Sequence, residues 1–456
     1  MGDERQKIQL KLAFEEENRS EAPKTSAEGT ESSTAKRRAE SPTINEGLME
    51  EVCEQDNCKR ALKRVQANKG SAGIDGMSVE QLPAYLKKHW PTIRAELLSA
   101  TYKPQPVKRV EIPKPDGGVR KLGIPTVRDR FVQQAVQQVL QRIWDPEFSD
   151  HSYGFRPNRS AHQAVSKAQQ YIADGYGTVV DIDLEKFFDR VNHDRLMARL
   201  ATRIGDKRML KLIRAFLTAG VMEDGLVSPV DEGTPQGGPL SPLLSNIVLD
   251  ELDRELEQRG HRFVRYADDS NIYVRSQRAG ERVMASISDF IERKLKLKVN
   301  AQKSAVDRPG RRKFLGFSFT AQAKRRIAPK AIERYKDRIR ELTRRTRGVS
   351  IETMAGQLTV YLRGWIGYFG RCDTPSVLEK LEQWTRRRLR LVVWKQWKRG
   401  SVRFAELRKR GLGVDLAAPT AGSAHGPWRI SNSPALTMAL PNAYFASLGI
   451  PRLVVR

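Results

Sequence analysis

Cysteine is scarce in this 456-residue chain: Cys53, Cys58 and Cys372 are all it has. Three thiols make no disulfide framework, so no disulfide-linked partner is expected and a reducing compartment follows. Cys53 and Cys58 have no His or second Cys pair nearby, which argues against a zinc site. Long apolar runs are missing as well. No stretch of about 18 apolar residues occurs, and the mixed-charge N-terminus has no apolar signal core, so a cytoplasmic protein without a membrane partner is expected. Acid is short relative to base, 54 Asp+Glu against 81 Lys+Arg, a formal net charge of +27. A field of that sign draws polyanions and releases their counterions on contact. Nucleic acid is the natural partner.

A hydrophobic content of 39% is enough for real cores, and the length suits about three units at roughly 150 residues each. Residues 1–45 are polar and nearly free of aromatics, which predicts a disordered or loosely attached extension. A helical N-terminal extension is expected over 46–100, interrupted by the Gly-rich loop Asn68–Gly76. Residues 107–127 read as a hairpin turning at Pro115-Asp116-Gly117-Gly118, with helices at 129–145 and 160–174. Thr178–Leu184 reads as a strand, and Arg262–Val274 as a second hairpin. Beyond about residue 325 strand signals fade, and helical periodicity dense in Arg and Lys takes over.

The second hairpin turns at Tyr266-Ala267-Asp268-Asp269. Adjacent aspartates repel each other, so such a tip suits a place where cations bind; an exposed Asp-Asp turn is, by itself, commonplace. The earlier strand carries Asp181 and Asp183 on one face, since side chains alternate along a strand. If it lies beside the hairpin, one of its aspartates joins Asp268 and Asp269 around a pair of metal ions, as two-metal phosphoryl transfer requires. Spacing alone does not say which.

Tyr-Ala-Asp-Asp resembles the Tyr-x-Asp-Asp box of reverse transcriptases, and the resemblance extends over roughly residues 60–400. Gly233-Thr234-Pro235-Gln236-Gly237-Gly238-Pro239-Leu240-Ser241-Pro242 is similar to a pocket-lining segment of the group II intron enzymes. In that family the earlier metal-binding Asp has an aromatic five positions later. Asp183 followed by Phe188 fits this, whereas Asp181 would need an aromatic where Lys186 stands. The resemblance therefore implies catalysis by Asp183, Asp268 and Asp269, with the Leu184 carbonyl as a further ligand. The metal would be two magnesium ions, with manganese as a substitute. It also implies a nucleotide site of Lys114, Arg120, Phe188, Gln236 and Lys303, in which Phe188 excludes a ribose 2′-hydroxyl.

Further segments extend the likeness. Ser152–Ser160 resembles a group II segment with an RNA-contact or fold role that the sequence leaves open. Phe314-Leu315-Gly316-Phe317 resembles a primer-gripping turn, and Asn68–Gly76 the extra N-terminal motif of non-retroviral relatives. Residues 321–410 hold 25 Lys+Arg against 8 Asp+Glu, +17 in this stretch alone. Tyr361–Gly370 resembles the signature of a maturase domain. One-signed charge interleaved with aromatics suits phosphate contacts and stacking. Arg156, Arg159, Arg363, Trp365, Arg386, Arg387 and Arg388 are the expected RNA contacts.

The implied fold is an α/β right-hand polymerase followed by an α-helical thumb/maturase domain. Fingers are expected over 101–177, palm over 178–325, thumb over 326–405, and a short appendage able to touch DNA over 406–456. The implied partners are a group II intron RNA, an RNA template with a DNA primer, deoxynucleotides and target DNA, in the bacterial cytoplasm. No endonuclease-like His or Cys cluster appears near the C-terminus, which points to reliance on another DNA primer. A splicing-only maturase and a host-domesticated reverse transcriptase are the competing readings.

Overall fold

The computed structural model describes residues 45–113, 119–223, 226–228, 232–233, 237–344 and 347–454. Two compact units emerge, one of residues 45–168 and 176–307, the other of 169–175 and 308–454.

The first unit opens with helices α1 (Leu48–Val52), α2 (Gln55–Ala67) and α3 (Leu82–Leu98). The Gly-rich loop between α2 and α3 lies against the start of a later helix. A Cβ on Gly73 would come within 2.6 Å of the Thr126 Cα, so only glycine allows this approach. Strands β1 (Val107–Pro113) and β2 (Val119–Ile124) form the first hairpin, in antiparallel register from Lys108↔Ile124 to Pro113↔Val119. Helix α4 (Val127–Trp144) follows, its first turn capped by the Thr126 hydroxyl accepting from the Asp129 amide. Both faces of α4 are buried, with Phe131, Val132, Val136, Leu140 and Trp144 in the core.

Next come α5 (Ala161–Ala173), β3 (Thr178–Ile182), α6 (His193–Ala201) and α7 (Lys207–Leu217). After β4 (Val221–Glu223) and β5 (Leu226–Ser228) the chain enters α8 (Ser241–Gln258), β6 (Arg262–Tyr266), β7 (Asp269–Val274), α9 (Gln277–Arg293) and β8 (Ala305–Asp307). One sheet has the order β2-β1-β4-β5, the other β6-β7-β3-β8 with every pairing antiparallel. Helix α9 presses on the second sheet at Gly280, where a Cβ would meet Val306 at 2.4 Å. Val180, Ile182, Leu184, Ile247, Ile272, Ile287 and Ile291 fill the space beneath that sheet, and their burial is the main force holding strand to helix.

The second unit contains the hairpin β9 (Phe317–Phe319) and β10 (Arg325–Ile327), then α10 (Pro329–Leu342), α11 (Ile351–Phe369), α12 (Pro375–Gln396), α13 (Gly400–Lys409) and α14 (Val414–Ala421). Short helices α15 (Pro427–Ile430), α16 (Pro434–Ala439) and α17 (Asn442–Ser447) close it. An aromatic core runs through it: Tyr335 and Trp365 lie 4.6 Å apart, Trp365 and Phe369 4.9 Å, Phe317 and Phe369 5.3 Å between ring centroids. That core draws the β9–β10 hairpin into the helical unit, so the division falls at Asp307/Arg308 rather than near residue 325.

The segment expected to be an appendage is part of this unit's packing. Leu436, Leu440 and Phe445 have no exposed surface. The Leu440 carbonyl accepts from Arg390, and the Ile450 and Pro451 carbonyls accept from Arg386. Residues 1–44, and the structural expectations attached to them, lie outside the described residues.

Candidate active site

The register of the second sheet brings the expected carboxylates to one end. Ile182 of β3 pairs with Ser270 of β7, so the next step along both strands sets Asp183 beside Asp269. Tyr266 of β6 pairs with Asp269, leaving Ala267 and Asp268 as the two-residue tip. The Asp183 amide donates to the Ser304 hydroxyl at 3.0 Å, and its carbonyl accepts from the Asn300 amide at 2.8 Å. Lys303 sits exposed in that same 300–304 turn. Leu184 bridges Val299, its side chain buried in the core. Asp181 faces Asn271 across the ladder.

Phe188 follows in a short 3-10 turn, half-buried, its ring 5.2 Å from that of the buried Phe187. Gly233, at φ 94°, lies on this turn: a Cβ there would meet the Phe188 carbonyl at 2.8 Å. Gly237 lies on β2, where a Cβ would meet the Gly123 carbonyl at 2.6 Å. The flanks of the Gly-Pro segment thus touch both the turn that holds Phe188 and the first hairpin. Lys114 and Gln236 fall outside the described residues, and of Arg120 the structure describes the backbone, paired with Ile112.

Beneath the tip lies a residue that the sequence reading passed over. Arg265 is fully buried, and all five of its N–H donors are used. It donates to Asp253 through Nε at 2.7 Å and Nη2 at 2.5 Å, and to the Ser152 hydroxyl at 2.8 Å. Its Nη1 donates to Asn246 at 2.9 Å and to the Ala267 carbonyl at 2.8 Å. Ala267 carries φ 56°, a left-handed conformation costing roughly 1–2 kcal/mol for a non-glycine. The bond from Arg265 and the close packing of Gly154, whose Cβ would sit 2.2 Å from the Ala267 amide, hold it there. Alternation was the available signal: Phe263 and Arg265 share a strand face, and Phe263 is an obvious core residue.

Three expected RNA contacts are corrected. The Arg156 guanidinium is buried, pairing with Asp145 at 2.9 Å and donating to the Ser149 and Ser152 carbonyls at 2.6 and 3.1 Å. Trp365 belongs to the aromatic core. Arg386 is 2% exposed beneath the C-terminal segment. In each case covering apolar surface or capping carbonyls fixes the side chain more firmly than solvent would. Arg387 lies 4.0 Å from the Trp428 ring and donates to the Trp428 carbonyl, while Arg388 donates to Thr343. Arg159 pairs with Asp150, and Arg363 is exposed on α11.

Residues 112–319 match the reverse transcriptase (RNA-dependent DNA polymerase) family, and residues 332–411 match the group II intron maturase-specific domain. Protein YkfC of Escherichia coli (strain K12) is 36% identical over 272 residues, 51% of this chain and 71% of YkfC. The group II intron-encoded protein LtrA of Lactococcus lactis subsp. cremoris is 38% identical over 206 residues, 45% of this chain and 34% of LtrA. The chain belongs to the group II intron reverse transcriptase/maturase family. A chain of a partial Cas6-RT-Cas1–Cas2 complex aligns over 54% of this reverse transcriptase and 42% of its own length, at 25% identity and a TM-score of 0.35.

The aspartates of this reverse transcriptase suit hard divalent cations by their chemistry, since carboxylate oxygens are the ligands such ions take. Among the described residues, no three acidic, His or Cys side chains already converge on one point. Among the same residues, no helix is long and apolar enough to cross a membrane.

Proposed function

We propose that this reverse transcriptase copies the RNA of its own group II intron into DNA, after binding that RNA and assisting its splicing. The observation that carries the reading is the strand register that gathers Asp183 and Asp269 at one sheet end, with Asp268 at the adjoining tip. Asp183, Asp268, Asp269 and the Leu184 carbonyl would hold two magnesium ions, or manganese in their place. Bound there, such ions would lower the pKa of a primer 3′-hydroxyl and offset the charge of the pyrophosphate that leaves.

The chain's own residues supply position. Phe188 closes the space beside the incoming sugar, so a 2′-hydroxyl finds no room. Lys114, Arg120 and Lys303 offer charge-assisted donors to the triphosphate, and Gln236 completes the nucleotide site. Arg363, Arg159 and the exposed part of the basic excess over residues 321–410 offer phosphate contacts to RNA. Arg387 and Arg388 already have partners within the protein and add positive field to that surface. Copying the intron after splicing supports its mobility.

The test is primer extension on an RNA template with deoxynucleotides and magnesium, comparing wild type with Asp268→Ala/Asp269→Ala. DNA from the wild type alone is expected. No product from either protein, with tight intron RNA binding retained, would instead favour the splicing-only maturase.

A further inference from the structure

The motif Ser152–Ser160 contains an aromatic that the fold leaves about half exposed. Phe155 is 46% exposed and has φ 59°. A bulky residue in the left-handed region is an outlier, and such strain persists only where the surroundings enforce it, typically at ligand sites.

Here both neighbours enforce it. Gly154 is wedged on the backbone of Tyr266 and Ala267, and its carbonyl accepts from the Asn246 amide at 2.9 Å. On the other side, Arg156 is buried and tied to Asp145, Ser149 and Ser152. Between two fixed residues the chain holds a strained phenylalanine, directed to solvent, where glycine would be free of strain. Backbone geometry does not reward that choice, and packing covers only about half of the residue.

The placement says what the ring meets. Ser152 bridges Arg265 in parallel, so this segment extends the sheet beyond its edge strand β6. Across the tip the order is this segment, β6, β7, β3. Asp183 and Phe188 lie at the β3 side, so Phe155 stands at the opposite edge, about three strand spacings or roughly 14 Å away. A primer terminus must meet the carboxylates, and the nucleotide sugar is assigned to Phe188. The strand that pairs with both is the one left to pass the β6 edge.

We propose that Phe155 is a template-strand contact, its ring packed on a sugar or nucleobase of the RNA template as it passes the catalytic hairpin. The contact rests on the polymerase reading above. An aromatic face suits it, because stacking accepts every base and a copying enzyme must accept every template sequence.

The experiment compares wild type, Phe155→Ala, Phe155→Gly and Phe155→Trp. It measures affinity for an RNA template annealed to a DNA primer by fluorescence anisotropy, and dNTP KM at saturating duplex. Phe155→Ala and Phe155→Gly are expected to weaken duplex binding about 10-fold, the scale of one lost stacking contact. Phe155→Trp should stay within about twofold of wild type, and dNTP KM should hold in all of them, as the general scale of stacking losses concerns the strand alone. Phe155→Gly relieves the backbone strain, so its thermal midpoint should equal or exceed that of wild type and exclude misfolding as the cause. Unchanged duplex affinity in Phe155→Ala overturns the contact, as does a raised dNTP KM with affinity intact, or an equal loss in Phe155→Trp. Extension by the wild type on the same duplex separates the two readings: with extension, an unmoved affinity overturns only the contact, whereas no extension overturns the polymerase assignment.

Discussion

Arg265 and Asp253 form a two-pronged ion pair, 2.7 and 2.5 Å long, with both side chains sealed from solvent directly beneath the Asp268–Asp269 hairpin. Helix α8 supplies Asp253 and strand β6 supplies Arg265, so the pair fixes the hairpin's base to its supporting helix. The remaining donors of Arg265 reach Ser152, Asn246 and the Ala267 carbonyl. The tip is therefore held from inside the protein as well as by its own ladder.

Removing one charge of this pair leaves the other buried without compensation. Asp253→Asn should lower stability by about 3–5 kcal/mol, the cost typical of a broken buried pair. Urea unfolding checks this, and a loss below about 1 kcal/mol, the range of an exposed pair, would show that the network is dispensable. Arg265→Lys should rescue little, because an ammonium has three donors and no planar fork to serve four partners.

Gly154 gives a test of hairpin position with little change in chemistry. A methyl group there would lie 2.2 Å from the Ala267 amide and 2.9 Å from the Tyr266 carbonyl carbon. Backbone cannot yield as a flexible side chain does, so Gly154→Ala should displace the tip. A displacement near 1 Å at a reacting centre can cost about 100-fold in rate. Primer-extension kcat should fall on that scale while duplex affinity stays within a few-fold, and an unchanged kcat would refute the close packing.

Sugar selection tests Phe188. Its ring is half-buried against Phe187, and its backbone is pressed by Gly233, so the turn that carries the side chain is held in place five residues after Asp183. Phe188→Ala should admit ribonucleotides, seen as a drop of at least about tenfold in the dNTP/rNTP ratio of kcat/KM, a difference of about 1.4 kcal/mol. An unmoved ratio removes the residue from the nucleotide site.

Much of this site was legible because its signals are local. Alternation along β3, β6 and β7 and the Asp-Asp turn locate the carboxylates before any pairing is known, and the register then fixes which strands adjoin. What escaped was decided by tertiary packing. Arg156, Arg386 and Arg265 look alike in sequence, yet all three are buried: Arg386 caps carbonyls of the C-terminal segment, Arg265 pairs with Asp253 of α8, and Arg156 ties down the turn just before it. Trp365 follows the same logic, since helical periodicity does not say whether an aromatic faces RNA or Tyr335. The C-terminal residues looked like an appendage from their Pro, Gly and Ala content, and only their contacts with α12 show them to be core.

Those contacts carry a prediction of their own. Phe445 is fully buried, with the Arg386 guanidinium 5.9 Å from its ring centroid. Phe445→Ala should cost about 3–5 kcal/mol, the sum of lost transfer energy and the cavity left behind. Thermal or urea unfolding of the full chain reads it directly, and a loss under about 1 kcal/mol, the scale of a surface change, would return the segment to the status of an appendage.

The two thiols near the N-terminal helices predict an alkaline limit. Burial pushes Cys53 up to about 11 and Cys58 up to about 12, from an ordinary value of 9.0. A thiol raised in this way keeps its proton in the folded chain after the unfolded chain has given it up. Its contribution to stability is therefore complete below pH 9 and is lost as pH rises from 9 toward 11 or 12. Linkage sets the upper bound at about 1.4 kcal/mol per pH unit for each thiol, and the half-buried Cys58 should give less than that bound. Tyrosines and lysines also titrate in this range, so the comparison must be between proteins: wild type should lose more stability between pH ~8 and ~10.5 than Cys53→Ala/Cys58→Ala does. Parallel curves for the two would mean that water reaches the thiols in the folded state.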